Sequence, residues 1–191
     1  MQYADLDLAR RLASTWFASI DPGLRNPAAA VWDRGRLVAA SRVKVPKEYA
    51  ELGRAERCRR VGALIAVWIR EHAAPSAHIP VIGVEWPQIY SHGKGKGDPN
   101  LIVPLAGVDV AVACELDAEV LDYLPGEWSG GIPKSERGNP WDSPRGVITR
   151  SRLRDEELAV IVPSHDAVDA VAIGLKFLGR LERFAVDVTD G

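Results

Sequence analysis

The sequence has little that would suit it to an oxidising compartment or a membrane. Only two cysteines occur in 191 residues, Cys58 and Cys114. They have no metal-ligand spacing and sit in apolar helical patterns, so both are expected to be reduced core residues of a cytoplasmic protein. No stretch of about 18 apolar residues is present, and no transmembrane helix is expected. The longest apolar run, Leu101 to Cys114, is interrupted by Pro104, Gly107 and Asp109. The start, Met1 to Arg11, is amphipathic and lacks a basic segment followed by an apolar core, so no signal peptide is expected. An excess of positive charge is missing as well. The net charge of −2 does not announce nucleic-acid binding, although a near-neutral total can hide a basic patch beside an acidic site. The glycine- and lysine-containing stretch Ser91 to Pro99 has no Lys-Ser or Lys-Thr to close it, which excludes a P-loop.

What is present describes one globular domain over residues 1–191. Its 47% hydrophobic and 26% charged composition supports a sizeable core. Residues 4–13 read as a short helix. Trp16 to Asp21 reads as a first strand, stopped at once by Pro22-Gly23. Pro27 to Asp33 and Arg36 to Val45 follow as strands joined by the hairpin signal Asp33-Arg34-Gly35. Residues 48–73 switch to helical period, with Leu52, Ala55, Val61, Leu64, Ile65 and Trp68 as the apolar stripe. His78 to Glu85 reads as a buried strand parallel to the first. Leu101 to Glu115 reads as a helix apolar nearly all round, which predicts contact with the sheet on one side and a partner subunit on the other. Ala118 to Tyr123 is a fifth strand, and 125–144 a Gly/Pro/Trp-rich insertion. Arg145 to Ile161 reads as a basic-then-acidic helix and His165 to Phe184 as the last long one. Between Lys134 and Arg154 six basic residues stand against two acids.

Four acids stand out. Asp21 and Glu85 each end a strand. Asp166 and Asp169 lie three apart near the start of the last helix, after Ser164 as N-cap, and so share a face. Asp166 is open to a plain reading, since an acid in a first turn offsets the helix dipole. Asp169 is not, because Val168, Ala170, Val171 and Ala172 surround it. If the first and fourth strands are neighbours, the four carboxylates converge and require cations. Hard oxygen donors favour Mg²⁺ or Mn²⁺, and two such ions roughly 4 Å apart suit phosphodiester hydrolysis.

The ordered set Ile20-Asp21-Pro22-Gly23, Gly83-Val84-Glu85 and His165-Asp166-Ala167-Val168-Asp169-Ala170 resembles the ribonuclease H-like superfamily, and within it the RuvC-type Holliday-junction resolvases. The resemblance spans roughly Trp16 to Leu178. It implies an α/β, ribonuclease H-like fold: a five-stranded mixed sheet, three strands antiparallel and then parallel ones, flanked by helices. It implies an endonuclease that nicks four-way DNA junctions symmetrically, with two Mg²⁺ or Mn²⁺ per active site. Asp21, Glu85, Asp166 and Asp169 match the family's metal-binding acids one by one. The dimer interface of the family falls on the 101–115 helix, so a homodimer on branched DNA is implied, without a membrane partner.

Looser matches add Trp86 or Tyr90 as the aromatic that contacts a junction base, and Lys134 as a family lysine. Lys94, Lys96, His92 and Arg137 are further candidates for DNA contact, on basic loops able to fold over a phosphate backbone. His165 is a candidate for proton transfer or phosphate binding. The extra N-terminal helix, the 91–98 loop and the 125–144 insertion depart from the family and suggest a divergent branch, phage-encoded among the options. Competing readings are another ribonuclease H-like nuclease acting on branched DNA or RNA–DNA hybrids, and a non-catalytic junction-binding module. A sugar-kinase-type phosphate site also uses a strand-end Asp, but it needs two domains that this length does not supply.

Overall fold

A computed structural model describes residues 3–86, 99–123 and 138–181. Helix α1 (Tyr3–Leu12) precedes strands β1 (Trp16–Asp21), β2 (Ala28–Asp33) and β3 (Arg36–Arg42). Helix α2 (Arg54–His72) leads to β4 (Val81–Glu85), and α3 (Pro99–Leu116) to β5 (Glu119–Tyr123). Two short helices, α4 (Pro144–Ser151) and α5 (Asp155–Leu158), come before α6 (His165–Phe177). The sheet order is β3-β2-β1-β4-β5. The first three strands form the expected antiparallel meander, and β4 and β5 run parallel to β1. At the Asp33-Arg34-Gly35 hairpin, Arg34 and Gly35 take φ of 47° and 76°. A two-residue turn that matches the twist of the strands needs such left-handed backbone.

Both faces of the sheet are covered, so alternate residues of one strand serve two cores. Phe17, Ala28, Ala30, Trp32 and Val81 pack under α6, with Ala170, Val171 and Ile173. Ala18, Ile20, Ala29, Val31, Ile82 and Val84 pack under α2 and α3, with Val61, Ile65, Val108 and Val112. The alanines of β2 keep the central sheet thin and let both helix layers approach. Two close contacts fix the layers. A Cβ on Gly83 of β4 would lie 2.5 Å from the Phe177 ring of α6. On the opposite face, a Cβ on Gly62 of α2 would overlap the Cβ of Ala111 on α3.

Several expected elements end differently. The 48–73 helix is a 3₁₀ turn over Lys47–Glu51 and then α2, because Leu52 is extended at ψ 148° and Gly53 starts the helix anew. Strand β3 stops at Arg42: Val43 still donates its N–H in register to Pro27 O at 2.8 Å, but Pro27 has no N–H to return the bond. The single 145–161 helix is instead α4, a break and α5, with Ile161 bridging to Ala40. The break lets Glu157 turn inward and accept the N–H groups of Leu37 at 3.1 Å and Arg154 at 2.9 Å. The last helix ends at Phe177 rather than Phe184. Gly179, at φ 65°, reverses the chain there, and Arg180 N–H returns to Leu175 O at 2.9 Å. Arg180 is thereby brought into contact with Glu157. Cys58 is buried as expected, but Cys114 is exposed, on the outer side of α3. No helix among the described residues is long and apolar enough to cross a membrane.

Candidate active site at the carboxyl edge of the sheet

Strands β1 and β4 are neighbours and parallel, with Ile20 opposite Val84. One step further, Asp21 and Glu85 therefore end the two central strands side by side. The turn after Asp21 is tied down by Arg57 of α2, whose Nη2 donates to Leu24 O at 3.1 Å. Glu85 is followed by Trp86, whose N–H donates to Tyr123 O at 2.9 Å and prolongs the β4–β5 edge.

Helix α6 is docked over β1 by a buried polar link. Ser19 Oγ donates to Ala170 O at 2.7 Å and accepts from Trp32 Nε1 at 2.9 Å. Further along α6, Gly174 lies against the indole of Trp32, which stacks on Phe17 at 5.6 Å. Moving along α6 from Ala170 to Gly174 thus runs back along β1 from Ser19 towards Phe17. The N-terminal end of α6, with Asp166 and Asp169, points to the edge where Asp21 stands. The Ser164 hydroxyl caps this end by accepting Ala167 N–H at 3.1 Å. Without the Ser19 hydroxyl, a buried indole N–H and a helix carbonyl would lose their shared partner at a cost of about 1–3 kcal/mol.

The α6 carboxylates carry internal counter-ions. Arg42, at the end of β3, donates Nε and Nη2 to Asp166 Oδ2 at 3.2 and 2.8 Å. Arg145, in the first turn of α4, reaches Asp169 Oδ2 at 3.3 Å, and that pair is nearly enclosed, with 15% and 5% of the two side chains exposed. Arg145 belongs to the basic 134–154 segment, so part of that charge faces the acids rather than solvent. The His165 Nε2 atom is buried and has no hydrogen-bond partner among the described residues.

A fifth acid, not among the candidates, lies on the other side of this edge. Asp109 on α3 is wholly buried, and neither carboxylate oxygen has a hydrogen-bond partner among the described residues. Burial raises its carboxyl well above the ordinary value of 3.8, and the charges of Asp21 and then Glu85 raise it further. The signal was an isolated acid in a helix otherwise apolar all round. It is the same signal that singled out Asp169, here lost because Asp109 reads as an interruption of an apolar run.

Of the sequence candidates, Asp21, Glu85, Asp166, Asp169 and His165 lie at this edge, and Trp86 is beside it, 38% exposed. Tyr90, His92, Lys94, Lys96, Lys134 and Arg137 lie outside the described residues. The donor set is all carboxylate oxygen, which suits a hard divalent cation, and the unpartnered oxygens of Asp109 add a demand for positive charge. Among the described residues no three ligating side chains stand close enough to enclose an ion as placed.

This strand order, with its antiparallel meander, two parallel strands and helices on both faces, is the ribonuclease H-like α/β fold. Within that fold the chain has the architecture of RuvC. The structure titled T. thermophilus RuvC in complex with Holliday junction substrate matches with a TM-score of 0.55 and 20% identity, over 88% of this chain and 97% of that one. A Thermus thermophilus RuvC structure matches with a TM-score of 0.52 and 20% identity, over 88% and 98%. No protein-family model and no curated protein matches the sequence.

Proposed function

We propose that this chain is a metal-dependent, structure-selective DNA endonuclease that resolves four-way junctions by paired, symmetric phosphodiester hydrolysis. The observation that carries this reading is the delivery of Asp21 and Glu85 to the ends of adjacent parallel strands, at the edge where α6 brings Asp166 and Asp169. The shared fold with a RuvC solved on a Holliday junction substrate supports branched DNA as the substrate.

Asp21, Glu85, Asp166 and Asp169 would hold two Mg²⁺ or Mn²⁺ ions, with Asp21 as the central ligand. Such ions, when bound, polarise the scissile phosphate and supply a hydroxide nucleophile near neutral pH. The chain's own groups do the rest. Arg42 and Arg145 neutralise Asp166 and Asp169 before metal and substrate arrive, and once released they can face the DNA phosphates. His165 offers its Nε2, without a hydrogen-bond partner among the described residues, to hold or pass a proton. Trp86 or Tyr90 would stack on a junction base. Tyr90, His92, Lys94, Lys96, Lys134 and Arg137 supply further DNA contacts. Paired cuts need two active sites, so a homodimer is part of this reading. The exposed Val103 and Val110 of α3, beside Ala55 and Cys58 of α2, support an apolar seam for a second copy along the 101–115 helix.

The test is Mg²⁺-dependent cleavage of a four-way junction, a linear duplex and an RNA–DNA hybrid. Junction cleavage is expected to dominate, and Asp21→Asn is expected to abolish it while junction binding is kept. Equal cutting of duplex and junction, or a normally active Asp21→Asn, would refute this function.

A further inference from the structure

Asp109 is the one carboxylate among the described residues that is wholly buried and wholly unpartnered. It is not at a helix end, so no macrodipole accounts for it: α3 spans Pro99–Leu116, and Asp109 lies in its middle. Its flanking turns carry Val108 and Val112, both in the core shared with Ile20 and Val84. Its height in the fold follows from the connections. Strand β5 starts with Glu119 level with Val81, just after α3 ends at Leu116. From Leu116 back to Asp109 the helix rises about 10 Å. From Val81 to Glu85 the strand rises about 13 Å. Asp109 therefore comes up beside the carboxyl edge of the sheet, where it feels the charges of Asp21 and Glu85. An aspartate with no donor among the described residues, set in apolar surroundings near two more acids, is costly in its charged form unless a cation joins them.

We propose that Asp109 is a ligand of the divalent cation held by Asp21 and Glu85, so that the centre takes a carboxylate from α3 in addition to those from the strands and α6. The inference rests on reading those strand-end acids as a metal centre, and adds a donor that the four-acid set does not contain. Asp109 approaches from the α2–α3 side of the sheet, opposite Asp166 and Asp169. An ion at the strand ends is then held from both layers of the fold.

The experiment is Mn²⁺ titration by calorimetry on the full chain, with thermal melting in the absence and presence of Mg²⁺. Asp109→Asn keeps the shape and removes the charge. It is expected to weaken Mn²⁺ binding at least about tenfold, to shrink the Mg²⁺-induced rise in melting temperature, and to raise the metal-free melting temperature. Mn²⁺ binding unchanged from the parent would overturn the proposal. So would a lowered metal-free melting temperature, which would mark Asp109 as a structural group, and so would a parent chain that binds no Mn²⁺. Junction cleavage is read separately. A parent that binds Mn²⁺ through Asp109 but leaves junctions intact keeps this inference and removes the function. A parent that cuts junctions while Asp109→Asn binds metal normally does the reverse.

Discussion

Glu157 and Asp109 are both wholly buried carboxylates, and their surroundings are opposite. Glu157 accepts from Arg180 Nη1 at 2.9 Å and Nη2 at 2.8 Å, and from two backbone N–H groups. Burial alone would push its carboxyl up, but Arg180 and those N–H groups outweigh burial and bring it from 4.5 to about 2. Asp109 has no such donors among the described residues, and burial and its neighbours all act in one direction. The first carboxylate is finished within the chain and ties α5 to the end of α6 and the start of β3. The second is left open at the edge where chemistry is proposed. A buried acid is therefore no guide to function until its donors are counted.

Arg180→Ala leaves a buried, uncompensated charge, and a loss of about 3–5 kcal/mol of stability is expected in urea unfolding. A loss below about 1 kcal/mol would show that Glu157 reaches water without unfolding. Acid sharpens the contrast next. The folded pKa of Glu157 lies below its unfolded value of 4.5, so its contribution is complete above that pH and drains as pH falls towards about 2. The share lost is about 3 kcal/mol, and Glu157→Gln should flatten that limb of the stability–pH curve. The smallest effect belongs to an exposed pair. Arg11 meets Glu119 at 2.7 Å, but both side chains are about half exposed, at 51% and 49%. Arg11→Ala is expected to change stability by less than about 1 kcal/mol, which would separate contact distance from contact worth.

The fold was legible where side-chain period and turn chemistry act locally. Pro22-Gly23 placed the end of β1, Arg34-Gly35 placed the hairpin, and Ser164 placed the start of α6. The strand-end acids followed from the same reading, since a parallel neighbour for β1 puts Asp21 beside Glu85. What escaped depends on distant partners. Helical period runs through 145–161, and the break goes with distant bonds to Glu157, from Leu37 N–H and from Arg180. The apolar neighbours of Asp169 set it apart from Asp166 in sequence, but neither counter-ion was legible there, Arg42 from a strand for Asp166 and Arg145 from a helix for Asp169. Gly179 did signal the end of α6, but the apolar residues beyond it masked the stop. Cys114 falls on the outer side of α3 because that helix buries a different stripe, through Val108, Val112 and Leu116.

The contact between Gly62 and Ala111 has a bearing on all of this. Ala111 follows Asp109 by two residues, and α2 meets α3 there with no space for even a methyl group. The axial position of α3 is gauged by that meeting, where Gly62 also lies against Val108 O. The depth at which Asp109 faces Asp21 and Glu85 is thus set by a residue that has no side chain.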